Sequence, residues 1–318
     1  MSNTKNEKVV EVGDFSLNAT MECGQCFNFA KLGENEYIIT AFRHVVHVRQ
    51  EKNELIFIND VNPSSDFEKE VEEIWLPYFD LKRDYKKIRE DIIKLDKKMK
   101  EVVAYNSGIR LLNQEFYEMV ISFIISQRQN IPAIKKIIRR LSEKYGECLG
   151  SFGGVDYYAF PTIDELCKLS ESDFAACKTG YRASYLCEAA KWLKNLKKDL
   201  KDLTYAEAKA ELLKVKGIGE KVADCILLFG LKKTEAFPVD VWIGRVMNDI
   251  YGDEMRKYLK KDSENKNKSQ INTKKSDEND KKPISNDRVR AFGEAKFGIL
   301  SGYAQQFLFD YARKDKNN

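Results

Sequence analysis

The sequence predicts an α+β protein in which a small N-terminal antiparallel β-sheet domain precedes a helical core built around a helix-hairpin-helix. Three observations predict this fold class. Residues 9–60 alternate apolar and polar side chains between short turns, as half-buried strands do. Beyond residue 66 the apolar side chains recur at helical spacing. Two of these helical patterns meet at a pair of glycines one residue apart, which predicts a tight hairpin between two helices.

The predicted domains follow the chain in order. The β domain covers residues 1–84, and the helical domain covers residues 85–318. In the second domain, a helix beginning at Glu115 is apolar nearly all round, which indicates a central place in the core. A polar run at 126–130 ends it, and an amphipathic basic helix follows from Ile134 to Tyr145. The basic face of that helix is either solvated, which the sequence slightly favours, or turned toward phosphate.

The C-terminal part is predicted to be helical with one interruption. The helix-hairpin-helix occupies residues 205–230, and a further helix runs from Asp240 to about Tyr251. Residues 260–286 carry both signs of charge and almost no apolar side chain, which predicts a disordered, charge-balanced insert. A last apolar helical segment runs from Phe292 to Tyr311.

Composition excludes several classes of protein. Of the 318 residues 43% are hydrophobic, which is enough for a buried core, and the net charge of +4 is too small for a histone-like polycation. Any contact with nucleic acid must therefore come from a local basic surface. No apolar run reaches the length of a membrane span, and the first residues lack the apolar segment of a signal peptide. We expect a soluble, cytoplasmic monomer, associated with the nucleoid if bacterial, with no membrane partner.

Cysteine and histidine usage argues against metal and redox chemistry. The seven cysteines are odd in number and mostly isolated, which is typical of a reducing compartment. Cys23 and Cys26 form a Cys-x-x-Cys motif, but a zinc site needs a second pair, and the residues between them lie in a strand-like stretch. Only two histidines occur, so a histidine triad is disfavoured. We expect no cofactor.

The hairpin region carries the candidate chemistry. Gly217 and Gly219 allow positive φ and the close approach of another backbone. The first amides of the following helix have no partner within it and form a natural anion site. Lys221 lies in its first turn, and Asp240 follows Pro238 just before the next helix. An amine nucleophile near a carboxylate suits attack at a sugar carbon. The alternatives are that Lys221 contacts phosphate and that Asp240 only caps a helix.

These residues resemble a known family. Gly217-Ile218-Gly219-x-Lys221 followed by Pro238-Val239-Asp240 is similar to the helix-hairpin-helix glycosylase superfamily of DNA repair. Lys221 with Cys225, inside Lys-Val-Ala-Asp-Cys, resembles its 8-oxoguanine DNA glycosylase branch. The resemblance implies that Lys221 is a Schiff-base nucleophile, that Asp240 assists catalysis and that Cys225 lines the base pocket.

The resemblance also implies the rest of a base pocket. Gly24 matches a glycine whose carbonyl accepts the hydrogen that oxidised guanine, unlike guanine, carries on its imidazole nitrogen. Gln305 matches a glutamine that bonds the Watson–Crick edge of the flipped base. Phe309 matches a phenylalanine that stacks on that base against Cys225. From the residues alone, Gly24 is a turn glycine, Phe309 is a core residue and Gln305 lies on the surface.

DNA contacts are implied at three further places. The run containing Gln129 and Asn130 matches a segment that reaches into the gap left by the flipped base. Tyr181 matches a wedge beside the estranged base, and Arg182 matches an arginine bonded to it; an aromatic next to an arginine suits an opened duplex. The alternative for Tyr181 is core packing.

The third place is the hairpin. There the amides at Gly217 and Gly219 are implied to grip the DNA backbone. A structural cation is implied on the backbone carbonyls of Leu213, Val215 and Ile218.

Three positions depart from the family pattern. Arg128 stands where asparagine is usual, and Ala133 stands where an arginine commonly reads the opposite cytosine. Trp242 stands where a histidine often touches phosphate. A relaxed preference for cytosine opposite the lesion is therefore expected.

The resemblance implies a bifunctional 8-oxoguanine DNA glycosylase and AP lyase, acting on double-stranded DNA that contains an oxidised guanine. Its chemistry needs no metal. Two rival functions stay open: a glycosylase for another damaged base, such as an alkylated purine or oxidised pyrimidine, and a non-catalytic DNA-binding module. Strand scission on a panel of lesion duplexes separates them.

Overall fold

The N-terminal sheet has five antiparallel strands in the order β1-β5-β4-β3-β2, which confirms the predicted fold class. The computed structural model describes the backbone of residues 7–267 and 284–313, and the side chains of this part except 261–267. The strands are β1 (Glu7–Glu11), β2 (Phe29–Gly33), β3 (Glu36–Ala41), β4 (His44–Glu51) and β5 (Glu54–Ile58).

A short helix, α1 (Leu17–Glu22), lies between β1 and β2, where only strands and turns were predicted. The Ser16 side chain starts it by accepting a hydrogen bond from the Ala19 amide at 3.2 Å. Gly24 follows in a turn with φ +78°, a conformation that no strand residue adopts. The strand-like interpretation of the Cys-x-x-Cys segment is therefore wrong. The alternation of apolar residues across it belongs to a helix end and a turn.

Within the described residues, the regular structure after the sheet is helical apart from one hairpin, β6 (Cys148–Phe152) and β7 (Val155–Tyr158), which was not predicted. A π-helical turn (Val71–Trp75) and two 3₁₀ turns (Gly180–Arg182 and Gly298–Leu300) join some of the helices. The helices are α2 (Phe67–Glu70), α3 (Leu76–Tyr78), α4 (Tyr85–Leu95), α5 (Met99–Tyr105), α6 (Phe116–Ile125), α7 (Ile131–Tyr145), α8 (Ile163–Leu166), α9 (Glu171–Ala176), α10 (Ala183–Asn195), α11 (Tyr205–Leu213), α12 (Glu220–Leu231), α13 (Val241–Asn267), α14 (Asn286–Phe297) and α15 (Ser301–Ala312).

Helix α6 is central, as predicted. Every residue from Glu118 to Ile125 is buried. It packs closely on α12, because a side chain at Gly230 would meet the Cα of Phe116 at 3.2 Å. The rings of Phe123 and Phe229 stack between the two helices, with centroids 5.4 Å apart. Helix α12 is thus held against the most buried helix of the core.

Two large hydrophobic clusters divide the molecule. One lies under the sheet and is centred on Trp75 and Phe79, and the other fills the helical part. Tyr85 belongs to the helical cluster, whereas Leu112 belongs to the sheet cluster. The chain therefore crosses between the clusters more than once, and the boundary at residue 84 stays a prediction.

Helix α13 differs from its predicted length. It continues past Tyr251 to Asn267 and so overlaps the start of the segment expected to be disordered. Its distal half is rich in lysine, a residue type that favours helix. The remainder of that segment, 268–283, lies outside the described residues. Within the described part, no helix is both long and apolar enough to cross a bilayer.

Candidate active site

The hairpin between α11 and α12 needs its first glycine for two reasons. Gly217 has φ +89°, and a Cβ there would lie 2.5 Å from the ring of Tyr185. Gly219 is different, because its φ of −96° is accessible to any residue and no atom lies within 4 Å of its Cβ position. Gly219 is exposed and is the N-cap of α12. Positive φ is thus needed only at Gly217, and Gly219 leaves open space beside the free amides.

Lys221 stands at the second position of α12, with its Nζ 5.5 Å from the centroid of the Phe123 ring. Cys225 follows one turn later on the same side of the helix and is buried. Burial raises the pKa of the Cys225 thiol to about 11, although the nearby Lys221 acts in the opposite direction. Cys225 therefore stays a protonated thiol near neutral pH.

Asp240 is the N-cap of α13. One of its carboxylate oxygens accepts a hydrogen bond from the Ile243 amide at 2.9 Å, and its carbonyl accepts one from the Gly244 amide at 2.8 Å. The capping interpretation of Asp240 is therefore correct, but it does not exclude the catalytic one. The second carboxylate oxygen is not used by the cap.

A single cavity of about 120 Å³ brings the candidate chemistry together. Its walls come from the turn after α1, the end of α6, helix α12, the start of α13 and helix α15. In the cavity, residues from the N-terminal and C-terminal parts of the sequence lie around Lys221 and Asp240. The predicted site residues that line it are Gly24, Gln129, Lys221, Cys225, Asp240, Gln305 and Phe309.

The turn that carries Gly24 is held from behind by a buried amide. The Gln25 side chain donates to the Arg110 carbonyl at 2.7 Å and accepts from the Leu112 amide at 2.8 Å. A Cβ at Gly24 would approach Ile131 to 3.1 Å, so the turn lies close against the start of α7. Sequence reasoning missed Gln25. The only signal for it was a polar residue between two cysteines.

The Cys-x-x-Cys motif forms part of this turn. Cys23 lines the cavity, and burial together with the nearby carboxylate of Asp310 raises its pKa to about 12. Burial also raises the pKa of Cys26 well above its usual range. Among the described residues, no group of histidine, cysteine and acidic side chains could hold a metal ion. Both cysteines are buried, and their thiols donate to the carbonyls of Thr20 and Met21.

Helix α15 supplies the opposite wall. Gln305 is 4% exposed, so its expected place on the surface, argued from the residues alone, is wrong. Its amide donates to the Pro238 carbonyl at 3.1 Å. Phe309 lies near Gly24, and the guanidinium of Arg313 is 5.4 Å from its ring centroid. Arg313 also donates to the carbonyl of Glu22, at the end of α1, and was not foreseen.

Family comparisons agree with this geometry. A family model described as 8-oxoguanine DNA glycosylase, N-terminal domain, matches residues 9–120. A second, described as HhH-GPD superfamily base excision DNA repair protein, matches residues 121–272. An 8-oxoguanine glycosylase/lyase from Clostridium acetobutylicum, solved with double-stranded DNA containing cytosine opposite 8-oxoG, is 36% identical. It superposes with a TM-score of 0.82, covering 98% of this chain and 97% of that one.

The chain belongs to the 8-oxoguanine DNA glycosylase family. A probable N-glycosylase/DNA lyase from Methanothermobacter thermautotrophicus is 29% identical over 96% of both chains. The N-glycosylase/DNA lyase of Saccharomyces cerevisiae is 32% identical over 64% of this chain, and the match spans only 56% of that relative. All three of these relatives carry the name of a glycosylase and lyase.

The loop between α6 and α7 lies beside the cavity. The resemblance to 8-oxoguanine glycosylases implies that this loop faces DNA. Gln129 lines the cavity, while the Asn130 side chain caps α7 by accepting from the Ala133 amide at 2.9 Å. Arg128 is exposed with φ +53°, a conformation uncommon for a residue with a side chain. The loop therefore presents Arg128 and Gln129, whereas Asn130 is engaged by its own helix.

Tyr181 and Arg182 have different environments. Tyr181 is 53% exposed, which excludes the core-packing alternative. Arg182 is 3% exposed, and its guanidinium donates to the carbonyls of Thr179 and Gln127, both at 2.9 Å. In this arrangement Arg182 supports the loop before α7, and its contact with an estranged base stays a prediction.

Gln127 links three of the surfaces implied to face DNA. Its side chain donates to the Gly217 carbonyl at 2.9 Å, and its own carbonyl accepts from Arg182. The loop before α7, the turn at 180–182 and the hairpin are thereby joined through one residue. Sequence reasoning missed Gln127, because it looks like any polar loop residue.

The carbonyls implied to hold a cation lie in the turn between α11 and α12. The Val215 carbonyl accepts from the Ile218 amide at 3.0 Å, which leaves it a second lone pair. Uncharged oxygen donors of this kind suit a hard cation. Leu213, Val215 and Ile218 thus fit such an ion, which stays a prediction.

Proposed function

We propose that this protein removes 8-oxoguanine from duplex DNA and then nicks the abasic strand. One observation carries the proposal: a single cavity gathers Lys221, Asp240 and Cys225 with Gly24 and Gln305, which lie far away in the sequence. The relatives named glycosylase/lyase support it. Because its substrate is the genome, we place the enzyme in the cytoplasm, at the nucleoid if bacterial, acting as a monomer.

The damaged base enters the cavity after leaving the duplex, at a cost of a few kcal/mol. Its extra imidazole hydrogen is donated to the Gly24 carbonyl. Guanine lacks that hydrogen and would leave the carbonyl unpaired, which gives strong discrimination. Gln305 bonds the Watson–Crick edge, and the ring lies between Phe309 and Cys225.

The glycosylase step is a displacement at the sugar. The Lys221 amine forms a bond to C1′ while the bond from C1′ to the base breaks, and the base leaves with the bonding electrons and takes up a proton. Lys221 must be uncharged when it attacks, so a proton first passes from its Nζ to solvent. The free oxygen of Asp240 stabilises the positive charge that develops on the sugar. Cys225 does not compete, because it stays a thiol.

The lyase step uses the same covalent bond. Opening of the sugar ring gives an imine between Lys221 and C1′. The imine acidifies the C2′ hydrogen, and loss of that proton expels the 3′ phosphate by β-elimination. Water then hydrolyses the imine and frees the lysine.

The DNA is gripped around the cavity. The amides at Gly217 and Gly219 bind backbone phosphate. A cation held by the carbonyls of Leu213, Val215 and Ile218 would add positive charge at the same place. Tyr181 wedges beside the estranged base, with Arg182 next to it. The remaining contacts come from the loop before α7, at Gln129 and at the exposed Asn130, whose helix cap uses only its side-chain oxygen.

The choice of opposite base is relaxed. Ala133 offers no side chain to a cytosine, and Arg182 is committed to main-chain carbonyls. Arg128 is the exposed cation of the loop before α7. We therefore propose that the enzyme tolerates other bases opposite the lesion better than an enzyme with an arginine at position 133 does.

Borohydride trapping tests the proposal. Reduction during turnover of an 8-oxoguanine duplex should give a covalent protein–DNA adduct, and Lys221→Gln should abolish both the adduct and strand scission. Lys216→Gln is the matched control, since Lys216 is an exposed lysine of the same hairpin and should still trap. An adduct with Lys221→Gln would mean that the nucleophile is another residue. A panel with alkylated purine and oxidised pyrimidine duplexes separates the rival substrates.

A further inference from the structure

Two consecutive glutamines on α15 line the base cavity. Gln305 and Gln306 are each 4% exposed, so both amides are buried. The family resemblance assigns a role to the first and none to the second. Buried amides in a largely apolar wall require partners for their oxygen and nitrogen atoms.

The orientation of both amides follows from one fixed acceptor. The Pro238 carbonyl can only accept, so the Gln305 side chain must present its NH₂ group there, at 3.1 Å. The Oε1 atom of Gln305 then accepts from the Nε2 of Gln306 at 2.8 Å. Neither amide can be turned around without placing two acceptors or two donors against each other.

One atom remains without a partner. The Oε1 of Gln306 is buried and has no hydrogen bond among the described residues. An unpaired buried acceptor is costly, and it is rare in native structures unless a ligand satisfies it. The pair thus presents two carbonyl oxygens, one unpaired and one with a lone pair to spare.

We propose that Gln306 is a specificity-determining residue that reads the 2-amino group of the base held in the cavity, an inference that rests on the proposed function. A guanine-type edge carries hydrogens on N1 and on its 2-amino nitrogen. Gln305 accepts one of these hydrogens and Gln306 accepts another. A base with an acceptor at N1 and no 2-amino group cannot donate a hydrogen bond to the side-chain oxygen of Gln305 or to that of Gln306.

Gln306 therefore acts in two ways. It holds the Gln305 oxygen in the accepting orientation, and it supplies a second acceptor of its own. Both effects depend on the chemistry of its amide and not on its volume. An apolar side chain of similar length would keep the packing of α15 but lose both hydrogen bonds.

The test compares three duplexes. One contains 8-oxoguanine, the second contains 8-oxohypoxanthine, which lacks only the 2-amino group, and the third contains a preformed abasic site. Wild-type enzyme should excise 8-oxoguanine roughly tenfold faster than 8-oxohypoxanthine. Gln306→Met should bring the two rates close together, and its nicking of the abasic site should match wild type. Phe307→Leu is the control for altered packing of α15, and it should keep the wild-type ratio.

Equal slowing of both lesions by Gln306→Met would show that Gln306 only packs. A wild-type enzyme without preference between the two lesions would overturn the inference even if the variant fails to fold. Failure of the proposed function would give a different result. The wild-type enzyme would then release neither base, which would also overturn the inference.

Discussion

At the scale of single residues, the Asp240 carboxylate caps a helix and has a proposed second role in catalysis. One oxygen caps α13 through the Ile243 amide, and this bond fixes the side chain at the cavity wall. Because α13 holds one carboxylate oxygen, the orientation of the other oxygen is fixed before substrate binds. An electrostatic group fixed in this way needs no reorganisation during the reaction.

Asp240→Asn separates the two roles. Asparagine caps helices as well as aspartate does, so thermal stability and DNA binding should stay close to wild type. Base excision should slow about 100-fold, because the stabilising charge is lost. Single-turnover rates on an 8-oxoguanine duplex measure this, with the melting temperature as control. An unchanged rate would leave Asp240 with its capping role alone.

Local sequence predicted some site residues and not others. Lys221 and Cys225 are four residues apart on one helix, and this spacing alone puts them on one side. The burial of Gln305 depends on the Pro238 carbonyl, which comes from a distant segment. The burial of Arg182 depends in the same way on the Gln127 carbonyl. No local pattern contains those contacts.

At the scale of elements, the hairpin shows that two neighbouring glycines serve different purposes. Gly217 lies against Tyr185 in a left-handed conformation, whereas Gly219 is extended and exposed. The first is needed by the protein itself. The second is proposed to be needed by the DNA.

The two alanine variants should therefore fail in different ways. Gly217→Ala should lower stability by at least 1–2 kcal/mol, from backbone strain and from collision with the Tyr185 ring. Gly219→Ala should unfold like wild type but bind duplex DNA about tenfold more weakly. Chemical denaturation and a DNA titration on both variants measure this. Equal stability of the two variants would contradict the assignment.

Elements with a strong apolar periodicity were predicted, and elements that depend on contacts distant in sequence were not. Helix α6 and the helix-hairpin-helix of α11 and α12 have clear apolar patterns. Helix α1 is short, and its start depends on the Ser16 cap. The hairpin β6–β7 is held by close packing, since a Cβ at Gly150 would lie 2.3 Å from the Val61 carbonyl. A contact so distant in sequence leaves no local signal.

At the scale of the whole molecule, helix α6 of the helical cluster lies close to residues of the sheet cluster. Glu118 is buried in this region, in the first turn of α6, close to Cys26 and Tyr78 of the sheet cluster. Burial, assisted by the charge of Glu115, raises the pKa of Glu118 to about 8. The folded protein therefore carries a proton on Glu118 at neutral pH.

This proton makes stability depend on pH. Between the ordinary pKa of 4.5 and about 8, the folded protein holds a proton that the unfolded chain has released. Stability should therefore fall as the pH rises through this window. Glu118→Gln should match wild type near pH 4.5 and be the more stable protein above pH 8.

Denaturant midpoints at several pH values measure the difference. The exposed Glu73→Gln variant is the control, and it should follow wild type throughout. Parallel curves for Glu118→Gln and wild type would mean that Glu118 is ionised in the fold. The burial of Glu118 could not be predicted, because from the sequence it looked like one more charged residue at the start of a helix.

Gln127 limits independent movement of the α6–α7 loop. Because this residue ties the α6–α7 loop to the hairpin and to the 180–182 turn, the three surfaces cannot adjust separately to a bound duplex. The DNA must then bend to fit the protein, and the free energy of that bending depends on the stiffness of its base steps. An oxidised base in a rigid A-tract would thus be harder to extract than the same base beside a pliant TA step.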